Sequence, residues 1–156
     1  MLFRSLGGGA AFGLAHLGVL QVLEAGGVEV DIVAGCSQGS IIAIGYAAGL
    51  SVAEMIEIAR ELGDKRNFLT ASDPTFFTKP GLLSGQKFLS MLRPYLRGKE
   101  TFEELILPCQ TVATDIQSGE RVALRAGRLE TAFRASSSVP MVMAPVLDGE
   151  RVLVDG

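Results

Sequence analysis

The sequence predicts an α/β fold, in which helices and apolar strands alternate within one domain. Its 156 residues suit a single hydrophobic core. A nearly continuous run of apolar and β-branched residues at 28–36 is typical of a strand buried on both faces. Helical patterns precede and follow this run, at 14–24 and at 40–48. Alternation of this kind predicts a sheet covered by helices.

The first predicted helix follows a glycine-rich turn. Leu17, Leu20 and Leu23 recur at helical spacing, and the pair Gly26 and Gly27 ends the pattern. The helix after the apolar strand is rich in alanine and glycine, which predicts that it packs closely against its neighbours.

Two stretches carry the S/T-x-x-E pattern of a capping box, in which groups of the first helical turn bond one another. Ser51 with Glu54 predicts the start of a third helix. Thr101 with Glu104 predicts a further, short helix that ends before Pro108.

The region between these two capping boxes contains a loop and a helix. Two prolines and several polar residues at 66–81 predict a long surface loop. Its phenylalanines Phe68, Phe76 and Phe77 are expected to pack on the core, and capping of an apolar site is the alternative. A helix is predicted at 84–96.

The last third of the chain predicts a hairpin, a helix and a second strand pair. The runs 109–116 and 120–126 flank a turn that contains glycine. A short helix is expected at 129–136 and a final pair of strands within 144–156. No internal repeat or linker divides the chain.

Composition excludes several classes of function. The net charge is −3 and lysines and arginines do not cluster, which argues against a nucleic-acid partner. Cys36 and Cys109 lie in apolar runs and indicate buried thiols in a reducing compartment, so we expect a cytoplasmic protein. The start lacks the apolar core of a secretory signal. The uncharged run 32–53 is interrupted by glycines and polar residues, so no transmembrane segment is predicted.

The run "GCSQGS" contains the pattern G-x-S-x-G, formed by Gly35, Ser37 and Gly39. A serine at a sharp turn from strand to helix is held in the open, and small neighbours let the backbone bend. The following helix directs free N–H groups and the positive end of its dipole towards such a serine. The pattern alone is weak, because glycine and serine are common in turns. The strand before it and the helix after it favour a nucleophile at Ser37.

Three consecutive glycines precede the first helix, within the run 7–13. Exposed backbone N–H groups there suit an oxyanion hole. A simple tight turn and the phosphate-binding loop of a dinucleotide fold remain open as alternatives. The dinucleotide loop requires the pattern G-x-G-x-x-G and an acidic residue further along the chain. This pattern is matched in part by Gly7, Gly9 and Asp31, but Phe12 stands where the third glycine is required.

The identity of the base is open from the residues alone. His16 is the only histidine, and it precedes Ser37, the reverse of the order in α/β-hydrolases. We therefore expect a structural role for His16, near the glycine loop. A carboxylate alone can activate a serine, and Asp155 would emerge at the end of an apolar strand, where α/β sites lie. The competing acids are Asp73, Asp115 and Asp148.

Five motifs follow one another along the chain. They are the glycine-rich loop that runs into "LAHLGVL", then "DIVAGCSQGS", "VATDIQSGE", "RASSSVP" and "VDG". In this order and spacing they resemble the patatin-like phospholipases. The resemblance covers nearly the whole chain.

The resemblance implies a three-layer α/β/α sandwich with a mostly parallel central sheet. It implies hydrolysis of lipid acyl esters by a Ser-Asp dyad without histidine, at a membrane surface that the protein contacts peripherally. The nucleophile then falls on Ser37 and the base on Asp155, with no metal or other cofactor. The oxyanion hole falls on four residues of the glycine loop, which are Gly7, Gly8, Gly9 and Ala10.

The chain departs from the family pattern at two places. Phe12 stands where the family usually has Arg or Lys, and the family continues where this chain has Gly156. We expect residues 1–156 to form a single catalytic domain that lacks its C-terminal part. The alternative function is a catalytically weak domain of the same fold that binds lipid or regulates.

Overall fold

A mixed β-sheet lies at the centre of the protein. The computed structural model describes residues 1–63, 83, 85, 87, 89, 90 and 93–156. Within these residues the sheet has six strands. They are β1 (Phe3–Leu6), β2 (Ile32–Cys36), β3 (Cys109–Asp115), β4 (Arg121–Leu124), β5 (Val146–Asp148) and β6 (Arg151–Asp155).

Helices connect and cover these strands. The α-helices with described bounds are α1 (Ala15–Ala25), α2 (Gln38–Ala47), α3 (Val52–Gly63) and α4 (Leu129–Ser136). Short 3₁₀ helices lie at Ala10–Leu14, Arg93–Leu96 and Phe102–Glu104. Helices α2 and α4 pack directly on the central strands, whereas α1 and α3 pack on each other and on α2.

Strand β3 is the hub of the sheet. The strand order is β1-β2-β3-β6-β5, and β4 also pairs with β3. β1, β2 and β3 run parallel to one another. β4 and β6 run antiparallel to β3, and β5 runs antiparallel to β6.

The two edges of β3 are shared unequally among its three partners. β4 pairs with residues 111–114 of β3, β2 with 109–112 and β6 with 113–115. Because a strand has only two edges and both of the latter ranges overlap that of β4, β2 and β6 must lie along the opposite edge. Their carboxyl ends therefore meet end to end, β2 at Cys36 and β6 at Asp155.

The core forms where apolar side chains of the helices meet the sheet. Fully enclosed side chains include Leu20 of α1, Ile44 of α2 and Leu129 of α4, together with Val33 of β2 and Leu153 of β6. Helix α2 is buried along most of its length, as expected of a helix that is apolar on all sides. This packing fixes the first turn of α2 directly after β2.

Gly35 and Gly39 let three pieces of backbone approach one another closely. A Cβ on Gly35 would lie 2.2 Å from the carbonyl oxygen of Gly39, and a Cβ on Gly39 would lie 2.1 Å from that of Leu6. Backbone atoms inside a close-packed core cannot yield as a flexible side chain can. The ends of β1 and β2 and the first turn of α2 are thus packed without side chains between them.

Most elements expected from the sequence are confirmed. The helices expected at 14–24, 40–48 and 129–136 are α1, α2 and α4. The hairpin is β3 with β4, and the final strand pair is β5 with β6. Strand β2 is shorter than the apolar run 28–36, because it begins only at Ile32.

The capping box at the start of α3 is confirmed in detail. The Ser51 backbone N–H donates to the Glu54 carboxylate at 2.8 Å. The Glu54 backbone N–H donates to Ser51 Oγ at 3.2 Å. Each residue thus satisfies a backbone donor of the other.

The short helix expected at Thr101 is a single 3₁₀ turn, Phe102–Glu104. Thr101 makes no side-chain capping bond to it, and the Glu104 carboxylate accepts the backbone N–H of Glu100 at 2.9 Å. Leu105 is already extended, with φ −68° and ψ 146°, so the helix does not continue.

Two expectations lie wholly or largely outside the described residues. The loop expected at 66–81, with Phe68, Phe76 and Phe77, lies outside them altogether. Of the helix expected at 84–96, the described residues Lys87, Leu89 and Ser90 are α-helical, and Arg93–Leu96 form a 3₁₀ helix.

A methyl group at Gly39 should destabilise the fold far more than one at Gly18. A Cβ on Gly18 in α1 meets no atom within 4 Å, so Gly18→Ala is the matched control. It should raise the free energy of unfolding by roughly 0.5–1 kcal/mol, because glycine loses more backbone entropy than alanine in a helix. Gly39→Ala should lower that free energy by about 3 kcal/mol or more, because backbone must move. Urea unfolding measures both, and equal midpoints would contradict the close backbone packing.

Candidate active site

Ser37 occupies a strained turn between β2 and α2. Its φ is 51° and its ψ is −124°, a conformation that residues with a side chain rarely adopt. If β2 continued, Ser37 would lie opposite Ala113, but Asp155 already pairs with Ala113 along that edge. The chain therefore leaves the sheet at Ser37 and begins α2 at the next residue.

The same geometry brings an acid to the Ser37 hydroxyl. Ser37 Oγ donates a hydrogen bond to Asp155 Oδ2 at 2.6 Å. Both residues are half-buried. The Asp155 backbone N–H donates to the carbonyl of Ser138 at 2.9 Å, which fixes the end of β6. A serine with a carboxylate within hydrogen-bond reach is the arrangement that a catalytic dyad needs.

The surroundings of Asp155 shift the pKa of its carboxyl. Burial raises the pKa of the Asp155 carboxyl above its ordinary value, and hydrogen bonds from Ser37 and Cys36 oppose that rise. Cys36 Sγ lies 3.9 Å from Asp155 Oδ1, so each carboxylate oxygen faces one donor. Burial, and then the charge of Asp155, raise the pKa of the Cys36 thiol. Cys36 therefore remains an S–H donor at neutral pH.

The glycine loop lies against Ser37. A Cβ on Gly8 would lie 3.3 Å from Ser37 Cβ, and a Cβ on Gly39 would lie 2.6 Å from the carbonyl oxygen of Gly7. His16 Nε2 is 3.0 Å from the same Gly7 oxygen. Because a carbonyl only accepts, this bond requires Nε2 to carry the proton. His16 thus anchors the glycine loop, as expected from the sequence.

Gly9 and Ala10 form an exposed bend of the loop, with φ values of 143° and 46°. A Cβ on Gly9 would meet Gly13 and Phe12, which belong to the same segment. Of the residues expected to form an oxyanion hole, Gly8 thus lies beside Ser37, while Gly9 and Ala10 lie at the solvent-exposed part of the loop. Phe12, in the same segment, is 90% exposed.

Two of the competing acids, Asp115 and Asp148, are among the described residues. Asp115 is buried, and its carboxylate accepts the hydroxyl of Ser118 at 2.8 Å and a backbone N–H of β6 at 3.2 Å. The bond from Ser118 is the main cause that lowers the pKa of Asp115. Asp148 is exposed at the turn between β5 and β6. Asp73 lies outside the described residues.

Two serine hydroxyls to which the sequence motifs give no role hold the backbone of Ser37. Ser136 Oγ accepts the N–H of Ser37 at 2.9 Å, and Ser40 Oγ donates to the carbonyl of Ser37 at 2.6 Å. Both hydroxyls belong to fully buried residues. Ser136 lies in the run "RASSSVP", and its separation of 99 residues from Ser37 explains why no local pattern pointed to the contact.

The groups that meet at Ser37 are hydroxyl, carboxyl, thiol and backbone groups of this chain. Within the described residues, no three or more side chains of His, Cys, Asp and Glu are grouped so that they could hold a metal ion. In the same part of the chain, no helix combines the length and apolar character needed to cross a membrane.

Two solved structures share this architecture. VipD from Legionella pneumophila superposes with a TM-score of 0.65, over 98% of this chain and 45% of its own, at 14% sequence identity. The type III effector protein ExoU gives a TM-score of 0.58, over 93% of this chain and 42% of its own, at 16% identity. At such low identity the likeness shows the fold alone, and it confirms the α/β/α arrangement expected from the sequence.

Curated relatives are similar in sequence over nearly all of this chain. An uncharacterized NTE family protein of Mycobacterium tuberculosis is 36% identical over 152 residues, which are 97% of this chain and 41% of that protein. Patatin-like phospholipase domain-containing protein 6 of Mus musculus is 33% identical over 156 residues, which are 97% of this chain and 11% of that protein. The chain thus spans less than half the length of these relatives.

A family match covers the candidate site as a whole. Residues 5–156 match the family described as Patatin-like phospholipase. This range contains the glycine loop, Ser37 and Asp155. The chain therefore belongs to the patatin-like phospholipase family.

Proposed function

We propose that the protein hydrolyses acyl esters of lipids, with Ser37 as nucleophile and Asp155 as base. One observation carries the proposal, the 2.6 Å hydrogen bond from Ser37 Oγ to Asp155 Oδ2 at the start of α2. Membership of the patatin-like phospholipase family supports lipid acyl esters as the substrate class.

In the first half of the reaction, Ser37 Oγ attacks the carbonyl carbon of the ester, and the hydroxyl proton passes to Asp155. A tetrahedral intermediate forms with the negative charge on the former carbonyl oxygen. When it collapses, the bond between carbon and the alcohol oxygen breaks, and that oxygen takes the proton from Asp155. The alcohol leaves and the acyl group remains on Ser37.

In the second half, a water molecule attacks the carbonyl carbon of the acyl-enzyme and gives its proton to Asp155. The bond between carbon and Ser37 Oγ then breaks, and Ser37 takes the proton back from Asp155. The carboxylic acid leaves. The dyad is restored without a net change in its protons.

The glycine loop and the start of α2 stabilise the oxyanion in both halves. Gly7, Gly8, Gly9 and Ala10 expose their backbone, and Gly8 lies beside Ser37. N–H groups fixed about 3 Å from the oxyanion act strongly because they need no reorganisation during the reaction. The positive end of the α2 dipole at Ser37 favours the same charge.

We place the substrate at a lipid surface that the protein contacts peripherally. Phe12 is 90% exposed and Leu14 is 37% exposed, both in the segment that follows the glycine loop. Apolar side chains beside an ester-cleaving site suit the hydrocarbon of a lipid. The free thiols of Cys36 and Cys109 favour a cytoplasmic location.

Removing either member of the dyad should abolish ester turnover. Ser37→Ala and Asp155→Asn should each lower kcat/KM for a soluble nitrophenyl ester by on the order of 10⁴-fold, because the nucleophile or its base is lost. Asp148→Asn removes an exposed carboxyl of the same hairpin and should leave the rate unchanged. A fluorophosphonate probe should label Ser37 in the unaltered protein, as peptide mass spectrometry would show.

Circular dichroism of each variant controls for loss of fold. Two results would contradict the assignment of the nucleophile. One is ester turnover that survives Ser37→Ala, and the other is labelling by the fluorophosphonate at Ser136, Ser137 or Ser138. An unaltered protein that binds lipid vesicles and cleaves no ester would favour the alternative, a lipid-binding or regulatory domain.

Replacing His16 should lower ester turnover only slightly. In His16→Gln the side-chain amide can still donate to the Gly7 carbonyl, so we expect at most about a tenfold loss of turnover, the equivalent of one hydrogen bond. Loss of a triad base would cost about 10⁴-fold. Steady-state kinetics distinguish these two outcomes, and the unfolding midpoint of the variant shows whether any loss of turnover comes from lost stability. A loss as large as that of Ser37→Ala, with the fold intact, would make His16 the base.

The pH profile of kcat/KM should fall on its acid side as Asp155 takes up a proton. Because burial raises the pKa of Asp155, activity is lost as the pH falls through a midpoint above the ordinary value of 3.8. Cys36→Ala removes a hydrogen bond that lowers this pKa, so the midpoint should move to higher pH. Cys109→Ala removes the other thiol and should leave the midpoint of the pH profile unchanged. An equal midpoint in both variants would show that Cys36 does not act on the carboxylate.

A further inference from the structure

The junction between the ends of β2 and β6 is covered by the segment at the end of α4. Ser37, just after β2, donates its N–H to Ser136 Oγ at 2.9 Å. Asp155, the last residue of β6, donates its N–H to the carbonyl of Ser138 at 2.9 Å. Both members of the proposed dyad are thus held by one short segment, 136–138.

The ladder between β2 and β3 shows what the bond to Ser136 replaces. Val33 N–H donates to the Pro108 carbonyl at 3.1 Å. In a strand, alternate residues face the same neighbour, so the next donors of this set along β2 are the N–H groups of Gly35 and Ser37. With the observed register, the acceptor for Ser37 would be the Val112 carbonyl.

The Ser136 hydroxyl lies between that donor and that acceptor. Ser136 Oγ accepts from the Ser37 N–H at 2.9 Å and donates to the Val112 carbonyl at 2.6 Å. Ser136 is fully buried, so water does not compete for either bond. One side-chain oxygen has replaced a direct backbone rung with a bridge of two hydrogen bonds.

We infer that Ser136 is a positioning residue for the reaction, because its hydroxyl holds Ser37 away from β3 and so directs Ser37 Oγ towards Asp155. This inference rests on the proposed function of Ser37. The bridge gives both part-buried backbone groups a hydrogen-bond partner, while Ser37 keeps a φ of 51°. Ser136 itself does not touch the reacting atoms.

Removal of the hydroxyl leaves two outcomes for the backbone. The Ser37 N–H and the Val112 carbonyl can draw together into the direct rung, which pulls Ser37 back towards the strand. Alternatively, both stay apart and unsatisfied, and the turn loses its fixed conformation. In each case Ser37 Oγ shifts relative to Asp155, and a shift of about 1 Å can cost about 100-fold in rate.

The test compares Ser136→Ala with Thr111→Val, using a soluble nitrophenyl ester. Thr111 lies on β3 beside Val112, is fully buried, and its hydroxyl has no hydrogen-bond partner among the described residues, so its loss controls for removal of a buried hydroxyl. Ser136→Ala should lower kcat by about 10- to 100-fold and leave KM within about twofold, because only the chemical step is affected. Thr111→Val should leave kcat unchanged.

A second measurement uses the unaltered protein. Hydrogen exchange followed by NMR should show that the Ser37 amide is protected, although it lies in a turn, because it donates to a buried hydroxyl. The amide of Gln38, in the first turn of α2 and without an intrahelical partner, should exchange faster. Equal, unprotected exchange at both amides would overturn the bridge.

The outcomes separate this inference from the proposed function. Turnover that survives Ser37→Ala overturns both. Turnover that is lost in Ser37→Ala but retains its full kcat in Ser136→Ala overturns the positioning role alone. If Ser136→Ala does not fold, Ser136→Cys takes its place, since a thiol offers weaker hydrogen bonds in the same position and should lower kcat in the same direction.

Discussion

The structure depends on one constraint, that β2 and β6 share the same edge of β3. β2 ends with Cys36 opposite Val112, and β6 ends with Asp155 opposite Ala113. Strand β2 cannot continue, because its next position on β3 is taken. Ser37 leaves the sheet where the carboxylate of Asp155 arrives, so their contact follows from sheet topology and not from a local preference of either residue.

The strained turn is maintained by its surroundings. A positive φ at a residue with a side chain costs about 1–3 kcal/mol. The hydrogen bond from the Ser37 N–H to Ser136 Oγ and the one from Ser40 Oγ to the Ser37 carbonyl contribute about 1 kcal/mol each, which is comparable. Gly35 and Gly39 add a geometric condition, because a Cβ at either position would collide with backbone. Hydrogen bonds and bare backbone together hold the hydroxyl of Ser37 in place.

Features that depend on a few neighbouring residues are predictable from the sequence. The turn from strand to helix at Ser37 and the capping box at Ser51 follow from local patterns, and both are present. At Thr101 the same four-residue pattern yields only a 3₁₀ turn, since the chain after it is extended. The residues alone did not decide which acid is the base. The pairing of β6 with β3, which brings Asp155 to Ser37, cannot be read from the spacing of residues along the chain. The bridge by Ser136 was invisible for the same reason.

The distance along the chain between Ser37 and Asp155, 118 residues, has a consequence for how the molecule assembles. Contacts among α1, β2 and α2 close short loops, whereas the contact between Ser37 and Asp155 requires that β2 and β6 both pair with β3. The dyad can therefore form only when strands from both ends of the chain have joined the sheet. During refolding, the return of ester turnover would report the completion of the whole sheet.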